Sequence, residues 1–354
     1  MNDVAAVMPA HANAMGSLGD STATRRERSV AAFVCLALVI CAALAIGFGL
    51  GQGPELKPLL PITATMWSLA DLLTSILLLG QFYVNGRISL AILSTCYGLG
   101  GLLTWPFLFT FPGVFSAPPL TLGEQSQFAY LWLIWHGAFP VLVIASQHPR
   151  FALRRIAARS TIVAVTVVTA LLPLVAAAAI TATIFATREA LPHLVIGGHL
   201  QPLDRLVFHP VIVGLNIVAC FLLLARRKRM TTLQLWLCVA MFAAGIDSLI
   251  VNLSAKLYSY AWDTGKFMNV LTAGTVLVMI LIEIVRLYGE QLRHNEKLER
   301  DLVARNRVEA ALRASEERFR QVEEHAPIGL ALIDLHGRFL RVNPALCRLT
   351  GYDE

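Results

Sequence analysis

The feature that most constrains this chain is a succession of eight apolar runs, each about twenty residues long, between residues 29 and 288. A helix rises 1.5 Å per residue, so about 20 residues cross a hydrocarbon core roughly 30 Å thick. Lipid offers no hydrogen bonds, so backbone facing it must satisfy its own N–H and C=O groups, as a helix does. The spacing predicts spans at 29–50, 62–84, 88–109, 127–147, 160–185, 207–225, 233–254 and 266–288. Only 15% of the residues are charged, against about 25% in soluble domains. The expected fold class is an all-α polytopic membrane bundle, with polar flanks at 1–29 and 286–354.

Arg25, Arg26 and Arg28 precede the first run. A secretory signal also opens on positive charge, but its apolar core is only about 7–15 residues. This run is longer and leads into further spans, so it reads as a retained helix. Arg87, Arg150, Arg154, Arg155, Arg159, Arg226, Arg227, Lys228 and Arg229 share a side with those three arginines, against Lys57, Arg188, Arg205, Lys256 and Lys266 opposite. Twelve against five in alternating connections is the positive-inside pattern. It predicts a multi-pass protein of the bacterial inner membrane with both termini in the cytoplasm, as an even number of spans requires. Trp105, Trp132, Trp236 and Trp262 near span ends read as interfacial aromatics. The net charge of +6 gathers at span ends rather than along one face, so no nucleic-acid partner is expected. Cys35, Cys41, Cys96, Cys220, Cys238 and Cys347 show no metal or disulfide spacing and read as small packing residues.

Past the last span, residues 287–322 are charge-rich and helix-forming. Val308, Leu312, Ser315, Phe319 and Val322 step by four and three, a heptad seam. Leu298 and Leu302 stand in a different register, as in a stutter. Two readings stay open: an amphipathic linker, or a parallel coil that makes a homodimer through 287–322. In the final segment, Ile328–Asp334 and Arg338–Val342 alternate around the turn His336-Gly337, and Asn343-Pro344 opens a helix that stops near Gly351. A lone hairpin is marginal, so the natural chain is expected to continue past Glu354. The small, polar stretch 1–24 is expected to be disordered.

The C-terminal residues resemble the PAS family. Ser315–Arg320 resembles its leading helix, Ala326-Pro327-Ile328-Gly329 and Asp334-x-x-Gly337-Arg338 its first hairpin, and Asn343-x-Ala345 with Gly351-Tyr352 its next helix. The resemblance covers less than half of such a domain, so the fold expected there is an incomplete α+β PAS domain with no assigned ligand. Residues 25–290 resemble the fourth class of MASE-type membrane-associated sensor domains. The resemblance is carried by Asp71-x-x-Thr74 with Leu77–Gln81 and Phe82, by Phe111-Pro112-Gly113-x-Phe115, and by Trp132-x-x-Trp135-His136-x-x-Phe139-Pro140. Asp247, Glu283 and Leu287-Tyr288 complete it. Leu257–Phe267 departs from the family's Tyr/Trp/Arg-bearing loop, with Asp263 and Lys266 at other places, and is given no ligand role. The resemblance implies a sensory module preceding a histidine kinase, the favoured output, or a diguanylate cyclase or phosphodiesterase. A kinase output would add a response regulator to the partners, beside the lipid bilayer. The expected divisions are a disordered 1–24, a sensor domain 25–288, a signalling helix 289–314 and PAS sequence 315–354. No catalytic constellation occurs in 1–354, so no catalytic residue is named.

Ionisable residues inside spans are costly and face the bundle interior with partners. Asp71, His136, Asp247 and Glu283 qualify, and Thr74, Gln81, Trp132 and Trp135 lie on the helices that carry the first two. One reading pairs Asp71 with His136 in a polar core that senses protonation, an ion or a small ligand. The other is a structural contact tying helices together. His136 beside two tryptophans lacks a second axial histidine at matching depth, so haem is not expected and the cofactor stays unassigned. His193, His199 and His209 match no ligand spacing and read as solvated loop residues; no metal is expected. Phe111-Pro112-Gly113 with Pro118-Pro119 reads as a connector, and the GxxxG at Gly47–Gly51 as weak support for helix pairing. A transporter or channel is the reading from another class, but repeated halves with interrupted midplane helices are not visible.

Overall fold

The computed structural model describes residues 21–51, 53, 56, 58–114, 126–225 and 230–352. Most of the stretch expected to be disordered lies outside the described residues, as do Lys57, Pro118-Pro119 and the basic run 226–229. Among the described residues, eight helices are long and apolar enough to cross a membrane. They are α1 (Arg25–Phe48), α2 (Leu59–Asn85), α3 (Ile88–Thr110), α4 (Gln127–Gln147), α6 (Arg159–Ala186), α7 (His209–Leu224), α8 (Thr232–Ser254) and α9 (Tyr260–His325). The short α5 (Pro149–Ala152) joins α4 to α6. A π-helical turn, Asp204–Phe208, leads into α7 and brings the sixth span to 21 residues.

Local chemistry sets the helix ends. Thr24 caps α1 in a reciprocal box: its hydroxyl accepts from the Glu27 N–H at 3.2 Å, and the Glu27 carboxylate accepts from the Thr24 N–H at 2.7 Å. Thr231 and Gln234 repeat the device at α8. Gly86, at φ +64°, ends α2 with its N–H on the Phe82 carbonyl. A side chain there would also strike the carbonyl of Ile156.

The connections gather at two ends. At one, Ile88 and Ile156 exchange backbone hydrogen bonds with Arg154 and Gly86, and Ala23 and Thr232 with Met230 and Ser21. This end holds the described arginines that the sequence places on one side. At the other, Gly49 and Gly53 bond Ala261 and Tyr258, the Ser126 hydroxyl accepts from the N–H groups of Leu194 and Val195, and the Tyr258 hydroxyl donates to Pro112. A two-residue hairpin, β1 (Val195–Ile196) with β2 (His199–Leu200), also sits there. We call these the basic end and the far end.

Between them, α2 packs on α3, α3 on α4 and α6, α4 on α7, and α8 on α1 and α7. The Ser68 hydroxyl donates to the Gly101 carbonyl at 2.8 Å, so α2 and α3 approach closely where Gly101 has no side chain. The exposed faces of α1 and α6 are apolar, including Phe33, Ile40, Val167, Leu171 and Val175, as lipid-facing helices require. A Cβ added at Gly47 or Gly51 would meet nothing within 4 Å among the described residues. Of the tryptophans expected at interfaces, Trp105 is partly exposed, whereas Trp132, Trp236 and Trp262 are buried. They pack the core rather than face lipid, because a large ring at a span end fills the space where helices splay.

The chain divides into two units, Met1–Leu287 and Tyr288–Glu354. The second carries the C-terminal part of α9, whose seam residues Val308, Leu312, Phe319 and Val322 are exposed. It also contains the antiparallel pair β3 (Ala331–Ile333) and β4 (Phe339–Val342), and α10 (Pro344–Thr350) capped by Asn343. Asn343 ties the segment together: its amide donates to Glu323 and Ile328 carbonyls and its oxygen accepts from Leu330 and Leu346 N–H groups.

Candidate functional site: a polar column inside the bundle

His136 stands on the inward face of α4, 8% exposed. Its Nδ1 lies 2.9 Å from the Trp132 carbonyl, one turn back, which turns Nε2 toward α8. There Asp247, wholly buried, brings Oδ2 to 3.8 Å, an electrostatic contact longer than a hydrogen bond. The same oxygen accepts from the Asn269 amide of α9 at 3.1 Å. Oδ1 has no hydrogen-bond partner among the described residues and abuts Gly265, where a Cβ would collide with it. The carboxylate that meets the imidazole is therefore that of Asp247, and the expected Asp71–His136 pair does not form. Spans that are apolar on every side give no periodicity from which to read which residue points at which neighbour.

Asp71 and His136 nevertheless share a cavity of about 100 Å³, lined also by Trp67, Tyr97, Trp135 and Asn269. The Trp67 indole is fixed by its N–H on the Thr104 hydroxyl at 3.1 Å. Thr74, one turn from Asp71, and Tyr97 carry buried hydroxyls with no partner among the described residues.

A second pair was hidden at a span end. His209 is 1% exposed and its Nδ1 lies 3.1 Å from Oδ1 of Asp204, itself 2% exposed. The expectation of a solvated loop histidine is corrected: the π-helical turn extends the span and folds Asp204 back under His209. His193 and His199 are exposed, as expected. Trp132 lies between the two imidazoles, 3.8 Å from His136 and 4.9 Å from His209 between ring centroids, with interplanar angles of 23° and 17°. The result is a column, Asp204–His209–Trp132–His136–Asp247, running through the bundle. A second histidine thus does lie near His136, and the indole fills the gap between them.

Lys266, expected in an outer connection, is 2% exposed inside α9, with Nζ 4.9 Å from the Trp262 ring centroid. It lines a smaller cavity of about 30 Å³ with Trp132, Asp204, His209 and Trp262. The spacing of Asp263, Lys266 and Asn269 by three, on one helical face, was the signal that could have placed them inside.

Two expected residues stand apart. Glu283 is buried near the basic end, accepting from the Ser21 hydroxyl and pairing with Arg286 at 2.8 Å. Gln81 accepts from the Asn85 amide at 3.2 Å, about 15 Å along α2 from Asp71 at 1.5 Å per residue. Of the remaining six, Asp71, Trp132, Trp135, His136 and Asp247 converge on the cavity and column, and Thr74 is buried one turn from Asp71 on α2. The larger cavity has room for a compact guest.

A family described as a membrane-associated sensor, integral membrane domain, matches residues 54–288, and a PAS domain matches 317–354. No curated protein and no solved structure matches the chain. The first match takes in about two thirds of the sequence, all the residues of the column and cavity, and seven of the eight spans. This chain belongs to the family of membrane-associated sensors with an integral membrane domain, and PAS sequence follows that domain.

Proposed function

We infer that the chain is the input module of a bacterial signal-transduction protein, in which the polar cluster captures a stimulus and α9 passes the change to the PAS segment and an output module. The observation that carries this reading is the cost of the cluster. Asp247, His136, Asp204, His209 and Lys266 are all buried within spans, where ionisable groups are expensive and usually functional. A bundle needed only as an anchor would be better packed with aliphatic residues. Glu283 and Arg286 lie on the same helix as Lys266 and Asn269, so a shift of that helix at the far end reaches the ion pair at the basic end. Trp135 and Trp132 line the two cavities, and Thr74 and Gln81 lie on the helix that carries Asp71.

The favoured output is a histidine kinase with a response regulator as its partner; a diguanylate cyclase or phosphodiesterase is the alternative. The basic connections support an inner-membrane location with both termini cytoplasmic. The exposed seam Val308, Leu312, Phe319 and Val322 supports a homodimer through 287–322. The working divisions are 25–288 for the sensor, 289–314 for the linker and 315–354 for PAS sequence.

The test replaces Asp247 by Asn and follows phosphotransfer and cyclic dinucleotide in cells. Loss of stimulus dependence with normal membrane insertion is expected; an unchanged response contradicts the reading. Ion flux through the protein in proteoliposomes would favour a channel or transporter.

A further inference from the structure

Asp71 differs from the other buried carboxylates of the bundle. Asp247 receives Asn269 and faces His136, Asp204 receives His209, and Glu283 receives Ser21 and Arg286. Asp71 has no hydrogen-bond or ion-pair partner among the described residues. An ionised carboxylate at mid-membrane without a counter-charge is strongly unfavourable, and a lone one holds its proton instead, so a guest that brings a positive charge is the one that completes the ionised site.

The surroundings narrow what that is. Trp67, Tyr97 and Trp135 line the same cavity as Asp71. Each ring has a fixed neighbour: Trp67 donates to the Thr104 hydroxyl, and Tyr97 and Trp135 make edge contacts with Phe139 at 5.1 Å and Phe107 at 5.2 Å. Aromatic walls attract cations. The Tyr97 hydroxyl, on a residue 3% exposed, has no partner among the described residues, and buried polar groups are normally hydrogen-bonded. An anion would be repelled by the ionised Asp71, and an uncharged guest gives it no counter-charge. No group of three His, Cys, Asp or Glu side chains that could hold a metal ion occurs among the described residues.

We propose that this cavity binds a small primary ammonium compound, with Asp71 as its counter-ion, the Tyr97 hydroxyl as a hydrogen-bond acceptor and Trp67 and Trp135 as walls. An ammonium group supplies three donors and the missing positive charge. The cavity's 100 Å³, against about 10–15 Å³ for one water, sets a short stem of a few carbons. The proposal rests on the sensor reading and names the chemical class of its stimulus.

Calorimetry on the purified full chain in lipid nanodiscs tests it, titrating methyl-, ethyl- and n-butylammonium against 1-butanol, the uncharged counterpart of the last. At least one ammonium should bind saturably with a stoichiometry of one, and n-butylammonium at least about thirtyfold tighter than 1-butanol. Asp71→Asn should weaken it by at least about thirtyfold, and Tyr97→Phe by about three- to tenfold, with both variants melting like the wild type. If Asp71→Asn fails to fold, Tyr97→Phe and the comparison with 1-butanol decide alone. No saturable binding across the series, or equal binding by 1-butanol or by Asp71→Asn, overturns the proposal. Output that depends on Asp71 while no ammonium binds overturns the ligand class and leaves the sensor reading standing. Binding that requires Asp71 yet leaves output unchanged supports the ligand class and removes its sensing role.

Discussion

The two halves of the bundle are cut from the same helices and packed in opposite ways. Toward the basic end, Leu78, Phe82, Leu90, Leu93, Val143, Leu223 and Leu237 form an aliphatic core, each at most 1% exposed, apart from the single ring of Phe82. Toward the far end, Trp67, Phe107, Phe111, Phe128, Trp132 and Trp262 surround buried acids, imidazoles and a lysine. Dense aliphatic packing holds helices together in lipid, where no hydrophobic force separates protein from solvent and fit itself supplies stability. Rings around charged groups pack less tightly and leave cavities. The contrast teaches that stability and sensing are divided along the membrane normal, so substitutions in the two halves should fail in different ways.

The largest loss of stability is expected from Phe82→Ala. Lipid solvates the freed surface, so the cavity term dominates; about 100 Å³ at roughly 24 cal/mol per Å³ gives about 2 kcal/mol. Titration with a denaturing detergent should show that shift while the folded fraction keeps its stimulus response. Gly265→Ala comes next, at about 1–2 kcal/mol, because the new methyl strikes the Asp247 carboxylate. Unlike Phe82→Ala, it should also abolish the response.

Asp247→Asn should cost only about 0.6 kcal/mol, a typical membrane polar contact, since an amide oxygen still accepts from Asn269. A change of several kcal/mol in the same titration would mean that the polar half is structural after all. Smaller still, Tyr97→Phe without ligand should leave stability unchanged or raise it by up to about 1 kcal/mol, because it removes a buried hydroxyl that lacks a partner.

The smallest effect lies outside the bundle. The Asp334 carboxylate is held below its ordinary 3.8 by the backbone N–H of Arg338 first, then by the N–H of His336 and the Arg338 side chain. A depressed carboxylate stabilises the turn above its unfolded value and loses that contribution as pH falls through the lowered one. The protection factor of the Arg338 amide, taken against its pH-dependent intrinsic rate, should therefore hold from neutrality down to 3.8 and fall only below it. Protection that disappears above that value would contradict the bonding described.

The spans were legible because lipid permits few alternatives: twenty apolar residues admit one reading, seven of the eight fall within several residues of their expected places, and the eighth lies within α9, which continues to His325. The C-terminal hairpin and the helix opened by Asn343 were legible from alternation and capping chemistry. The partners of the buried charges were not. A helix apolar all round conceals its azimuth, so His136 was matched to Asp71 across α2 rather than to Asp247 on α8. Lys266, Asp204 and His209 sit within a few residues of span ends, where a charge in sequence looks like a loop and only tertiary packing draws it inward. The hairpin Val195–Leu200 is too short to carry any alternation.

The central claim is that the state of the far-end polar cluster reaches the output helix. Single cysteines at positions 305–322, introduced after replacement of the six native ones, report which faces of α9 meet across a dimer when oxidised in native membranes. The account predicts that Asp247→Asn, at least 58 residues from every probe in sequence, moves the strongest cross-links to a different helical face. An identical cross-linking pattern in wild type and variant, with output nonetheless intact in both, would contradict it.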